Sequence, residues 1–132
     1  MPATQVLVVD DVRSERLLLR HALVDVEPAV EIVEADGHEG ALAAYRRRPA
    51  DVVFLDVVLR AATGLRTLEE LLAFDPRAFV VMVSHHSTRE HVLQALRLGA
   101  RDFVVKPFSL QKLADILARA AHERRALTPL SP

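Results

Sequence analysis

The sequence predicts an α/β protein with one parallel five-stranded sheet carrying helices on both faces. Three observations lead there. Short β-branched runs alternate five times with segments of helical period, which is the signature of repeated βα units. Four of the five runs are apolar throughout, as strands buried on both faces are. The length, 132 residues, is that of a single domain.

The elements follow in order. Val6-Leu7-Val8-Val9 is an apolar strand that ends in Asp10-Asp11. Ser14 is the expected N-cap of a first helix running to about Leu23, with Leu17, Leu18, Leu19, Ala22 and Leu23 as its apolar face. Val30 to Ala35 is a second strand, broken by Glu31 and Glu34. After the Asp36-Gly37 turn, Ala41, Leu42, Ala44 and Tyr45 mark a second helix that stops near Pro49. Val52 to Leu55 is a third strand ending at Asp56. A third helix starts at about Gly64, carries Leu65, Leu68, Leu71 and Leu72, and is broken by Asp75-Pro76. Phe79 to Val83 is a fourth strand ending at Ser84. Val92, Leu93, Ala95 and Leu96 lie on a fourth helix, and Gly99 fits its C′ position. Phe103 to Val105 is a fifth strand ending at Lys106-Pro107. Ser109 caps a last helix bearing Leu110, Leu113, Ile116, Leu117 and Ala120.

The charged second strand suits a sheet edge. That agrees with the flavodoxin-like strand order 2-1-3-4-5, a (βα)5 three-layer sandwich. Residues 1–126 read as one domain, and residues 127–132 as a tail or the start of a linker.

Composition narrows the function. Half the residues are hydrophobic (51%) and 27% are charged, so the chain folds and is not disordered. A net charge of −1 gives no reason to expect direct nucleic-acid binding. The absence of cysteine excludes disulfides and thiolate metal sites. No signal peptide and no membrane-spanning run is visible, so a cytoplasmic location without membrane contact is expected.

The polar residues of interest all follow strands: Asp10 and Asp11 the first, Asp56 the third, Ser84 the fourth and Lys106 the fifth. In an open α/β sheet, ligands bind outside the carboxyl ends of the strands where the strand order reverses, here between strands one and three. Three carboxylates meeting there repel one another, and an all-oxygen site suits Mg²⁺. A carboxylate is also a nucleophile towards phosphorus, forming an aspartyl phosphate. Lys106 and the Ser84 hydroxyl are placed to bind two phosphoryl oxygens and Mg²⁺ the third.

These residues resemble the receiver domains of bacterial response regulators over about residues 5–122. The matching elements are Asp10-Asp11, Asp56 with Gly64 eight residues on, Ser84, Gly99-Ala100-x-Asp102-Phe103 and Lys106-Pro107-Phe108. Each is weak alone; in order and at strand ends they are specific. The resemblance implies that Asp56 is the phosphoacceptor. It implies that Asp11 binds Mg²⁺ directly, Asp10 through water, and Val58 through its backbone carbonyl. It implies that Ser84 and Phe103 form a switch pair altering the surface of the fourth helix, fifth strand and fifth helix, and that Lys106-Pro107 is a cis peptide. The implied partners are a histidine kinase or histidine phosphotransfer protein, and a downstream protein or covalently linked output domain. A phosphorylation-dependent homodimer is a further expectation. Such a domain is a stoichiometric switch that assists its own phosphorylation and dephosphorylation, not a metabolic enzyme.

Several positions depart from the family pattern. Arg60 stands where proline is common, and Thr63 where an acidic residue is. Val58 offers no side-chain hydrogen bond to an attacking water, and His85 replaces a small residue at the mouth of the site. His86 beside it is a further candidate for modulating access or orienting a water. Val58 and His85 together predict a long-lived phosphoryl group, against which a water oriented by His86 would act. Phe103 lacks the hydroxyl of the commoner tyrosine, so the switch would work by packing. A transition-metal site built on His85, His86 and His91 lacks acidic or thiolate partners at fitting spacing. His21, His38 and His122 read as surface or helix-face residues, and Arg46-Arg47-Arg48 as the solvated end of the second helix. The alternative function is a phosphorylation-independent interaction domain of the same fold. A flavin carrier is disfavoured, because Asp10-Asp11 would repel a phosphate without a metal.

Overall fold

A computed structural model describes residues 3–59, 63–85 and 88–127. The strands are β1 (Gln5–Val9), β2 (Glu31–Ala35), β3 (Val52–Asp56), β4 (Val80–Ser84) and β5 (Asp102–Val105). They alternate with α1 (Arg13–Val26), α2 (His38–Arg47), α3 (Gly64–Phe74), α4 (Arg89–Arg97) and α5 (Leu110–Leu127). Within the sheet the strands pair in parallel in the order β2-β1-β3-β4-β5, as expected from the sequence.

Alternation along each strand divides the core into two layers. Leu7 and Val9, Val53 and Leu55, and Val80 and Met82 face α2, α3 and α4, where they meet Leu42, Tyr45, Leu68, Leu71 and Ala95. Val6 and Val8, Val52 and Phe54, and Val81 and Val83 face α1 and α5, where they meet Leu19, Leu23, Leu113, Ile116 and Leu117. Edge strand β2 turns its two glutamates to cations on neighbouring elements. Glu34 pairs with Arg16 at 3.0 Å and Arg20 at 2.9 Å, and Glu31 accepts from Gln5 at 2.7 Å and Arg48 at 3.4 Å.

Some local expectations give way. Helix α1 begins at Arg13 with Val12 as N-cap, not at Ser14, because an Asp10 carboxylate oxygen already accepts the Val12 N–H at 2.9 Å and turns the chain there. Its core face is Leu19 and Leu23, while Leu17 and Leu18 are exposed. On α4 only Ala95 is buried, and Leu93 and Leu96 face outward. His38 is buried rather than at the surface, because Nδ1 lies 2.7 Å from Thr67 Oγ1 and Nε2 lies against the Glu70 carboxylate, both on α3. His21 and His122 are exposed. Ser109 caps α5 as expected, its hydroxyl accepting the Lys112 N–H at 3.0 Å, and Thr63 caps α3 through the Arg66 N–H at 3.3 Å. Helix α5 runs through Leu127, one residue past the expected domain boundary. Among the described residues no helix is long and apolar enough to cross a membrane.

Candidate functional site

Strand register assembles the site. Val9 pairs with Leu55, which puts Asp10 beside Asp56 at the next step. Asp56 pairs with Val83, so Ser84 follows immediately; Ser84 pairs with Val105, so Lys106 follows in turn. Residues far apart in sequence thus reach one rim of the sheet. Asp10, Asp11, Glu15, Asp56, Val58, Ser84, His85 and Lys106 all line a single cavity of about 290 Å³ there.

The Lys106 ammonium is the hub. Its side chain is 4% exposed, and Nζ lies 2.9 Å from Asp10, 3.2 Å from Glu15 and 3.4 Å from Asp56. The Lys106 N–H donates to the Ser84 carbonyl at 2.8 Å, and Lys106-Pro107 is cis, as the resemblance implied. Asp10 is buried and its carboxylate is shared between Lys106 and the Val12 N–H. Asp56 accepts the Val58 N–H on its other oxygen at 2.8 Å.

Burial pushes the Asp56 carboxyl up to about 6, and the Asp10 carboxyl beside it adds to the shift; the Val58 N–H and Lys106 offset only part. Burial pushes Lys106 down, but Asp10, Asp56 and Glu15 outweigh it and leave the ammonium held above its ordinary range. The acidic side of the site is therefore short of positive charge even with Lys106 in place.

Such a donor set fits Mg²⁺, which binds through one or two carboxylates and keeps several waters. Among the described residues no three His, Cys, Asp or Glu side chains converge as a ready-made metal cage. A cation here would be held by Asp11, Asp56 and the Val58 carbonyl with water, Asp10 standing behind. Asp11 is half-buried at the cavity wall and Val58 is exposed.

The loop after Asp56 is shaped by Gly64. A Cβ there would lie 2.0 Å from the Asp56 carbonyl oxygen, and the Gly64 N–H donates to the Val57 carbonyl at 2.7 Å. Val58 and Thr63 form an antiparallel bridge across the same loop. Ser84 is buried at the end of β4, and Phe103 on β5 is half-buried against the α2–α3–α4 side of the core. His85 is exposed and its Nε2 lies 3.0 Å from Glu15. His86 and Arg60 lie outside the described residues.

Sequence reading missed Glu15. Its signal was positional: it lies in the first turn of α1, only four residues after the Asp11 that follows β1, so the chain has had no room to leave that rim of the sheet.

Comparison with known proteins places the chain in a family of the same fold. The family model described as response regulator receiver domain matches residues 6–118. Protein CcdB of Bacillus subtilis is 35% identical over 116 residues, covering 88% of this chain and 96% of that protein. The crystal structure of the receiver domain of NtrX from Brucella abortus is 37% identical with a TM-score of 0.81, covering 89% of this chain and 98% of that one. A chain of the CheX-CheY-BeF3-Mg²⁺ complex from Borrelia burgdorferi is 26% identical with a TM-score of 0.81, covering 89% of each chain.

Proposed function

The chain belongs to the response regulator receiver domain family, and from that premise we propose that it is a Mg²⁺-dependent phosphorylation switch whose acceptor is Asp56. The observation that carries this reading is the position of Lys106 Nζ, between Asp10 and Asp56 in a cavity that also holds Asp11 and Ser84. An Asp56 oxygen forms the new P–O bond as the P–N bond of a donor phosphohistidine breaks and its electron pair leaves on the imidazole. Lys106 binds one phosphoryl oxygen and the Ser84 hydroxyl donates to another. Mg²⁺, when bound, supplies the positive charge that the carboxylates lack. The likeness to a chain crystallised with BeF3 and Mg²⁺ supports this use of the site.

The downstream step uses Ser84 and Phe103. Ser84 turning towards the phosphoryl group vacates space for the Phe103 ring, and the α4–β5–α5 surface changes with it. Leu93, Leu96, Val105 and Leu110 already expose apolar surface on those elements. The donor is a histidine kinase or histidine phosphotransfer protein, and the signal passes to a downstream protein or a linked output domain. One phosphoryl group is taken up per molecule, so the protein is a switch and not a turnover catalyst.

Intact mass, with and without acetyl phosphate, tests the proposal. A phosphate-sized gain is expected in the wild type, lost with Asp56→Asn and lost on chelating Mg²⁺. No gain in the wild type would favour a phosphorylation-independent interaction domain instead.

The departures at Val58 and His85 predict slow hydrolysis. Val58 is 71% exposed beside Asp56 and offers an attacking water no hydrogen bond, while His85 stands at the cavity mouth. Phospho-Asp56 of the wild type is expected to outlive that of a Val58→Asn, His85→Ala variant by about tenfold, the rate equivalent of one hydrogen bond in the transition state. Decay of the phosphorylated mass after donor removal measures it, and a shorter wild-type half-life contradicts it.

A further inference from the structure

Glu15 takes no part in the chemistry above, yet it touches two residues of the site. Its Oε2 lies 3.2 Å from Lys106 Nζ, and its Oε1 lies 3.0 Å from His85 Nε2. A carboxylate only accepts, so the His85 Nε2 carries the hydrogen. The Glu15 side chain is 21% exposed and that of His85 58%, against 4% for Lys106, so the pair forms the outer layer of the cavity. The contact joins the first turn of α1 to the residue that follows β4.

An ammonium has three N–H donors, and three carboxylates surround this one: Asp10, Glu15 and Asp56. A phosphoryl oxygen must displace one of them. Asp10 is the nearest and is buried, and Asp56 carries the incoming group. Glu15 is the partner left to release Lys106.

We propose, resting on the phosphoacceptor reading above, that Glu15 is a positioning residue and that Glu15 and His85 form a latch which restrains reaction with small phosphodonors. Closed, the latch occupies the third donor of Lys106 and spans the route to Asp56. It opens when a donor displaces Glu15. A protein phosphohistidine brings contact surface remote from the reacting phosphorus, and that binding energy can open the latch. A small acyl phosphate or phosphoramidate brings none, and its own negative charge faces the Glu15 carboxylate.

The test is the rate of phosphorylation by acetyl phosphate and by phosphoramidate in excess Mg²⁺, read by intact mass. Wild type, Glu15→Ala, His85→Leu and the double variant are compared. Each single variant is expected to react about fivefold faster, the rate equivalent of one side-chain hydrogen bond. The double variant is expected to be no faster than the faster single one, because both break the same tie. His85→Leu keeps bulk and removes the donor, whereas His85→Gln keeps a donor and is expected to stay within about twofold of wild type. Single effects that multiply in the double variant would overturn the latch. So would a His85→Leu protein as slow as wild type, or a His85→Gln protein as fast as His85→Leu. Equal Asp56-dependent rates in all variants would overturn the latch alone; no mass gain in any of them would overturn the acceptor reading with it.

Discussion

Replacing Gly64 by alanine is expected to destabilise the protein by about 3 kcal/mol or more, the range of a steric overlap that the core cannot relax. The added Cβ would sit 2.0 Å from the Asp56 carbonyl oxygen and 2.9 Å from the Asp56 carbonyl carbon and Val57 Cα. These are backbone atoms, so no side-chain rotation makes room. Helix α3 must retreat, and the 2.7 Å bond from the Gly64 N–H to the Val57 carbonyl lengthens or breaks. The same retreat shifts Val58, which lines the cavity beside Asp56, so phosphate uptake on Asp56 should fall with stability. Gly40 on α2 provides the control. A Cβ there meets Ala35 Cβ at 3.6 Å and Asp36 Oδ1 at 3.8 Å, ordinary contacts. Gly40→Ala should therefore stabilise by about 0.5–1 kcal/mol, the usual gain for alanine inside a helix. Urea unfolding of the two variants should give opposite signs. A neutral Gly64→Ala would mean that the close approach of α3 to the Asp56 loop does not exist.

In metal-free protein, Asp56→Asn is expected to raise stability at pH 7.5 and to change it little near pH 4. The Asp56 carboxyl is pushed up to about 6 in the fold, from an ordinary value of 3.8. A raised carboxyl binds its proton more tightly folded than unfolded. Below the unfolded value both states hold the proton and the group contributes nothing. Between 3.8 and about 6 stability is lost as pH rises, and above that the full penalty persists. Its size is of order 2–3 kcal/mol. Asparagine removes the charge but keeps an oxygen for the Val58 N–H. Urea unfolding in chelator at the two pH values measures the difference. An asparagine variant less stable than wild type at pH 7.5 would show that attraction to Lys106 outweighs burial and the neighbouring Asp10.

The strands and the candidate site were legible for one physical reason. A parallel strand buried on both faces reads as an unbroken apolar run, so the first polar residue after it marks the strand end. Asp10, Asp56, Ser84 and Lys106 each announce themselves in that way. Helix faces were harder. Leu17, Leu18 and Leu19 span about 200° of a helix, so period alone cannot choose which of them meets the sheet. His38 and Glu15 were misread or missed because their roles are set by side chains on other elements. His38 is buried by Thr67 and Glu70 of α3, and Glu15 is drawn into the cavity by Lys106 and His85. Asp102, which the motif marks without giving its surroundings, is set chiefly by cations on α5. Burial would raise its carboxyl, but Lys112, the Phe103 N–H and Arg119 outweigh that and hold it below its usual range.

The arginines flanking strand β2 have a bearing on how copies of this protein tolerate crowding. A border strand leaves half its peptide groups without a neighbour, an invitation for a stranger's chain to zip on and seed a fibril. Here Glu31 and Glu34, fastened by Arg16, Arg20 and Arg48, drape that border with fixed, hydrated ions. Replacing both glutamates by alanine would lift the drape, and turbidity should then appear in concentrated solution without loss of the fold.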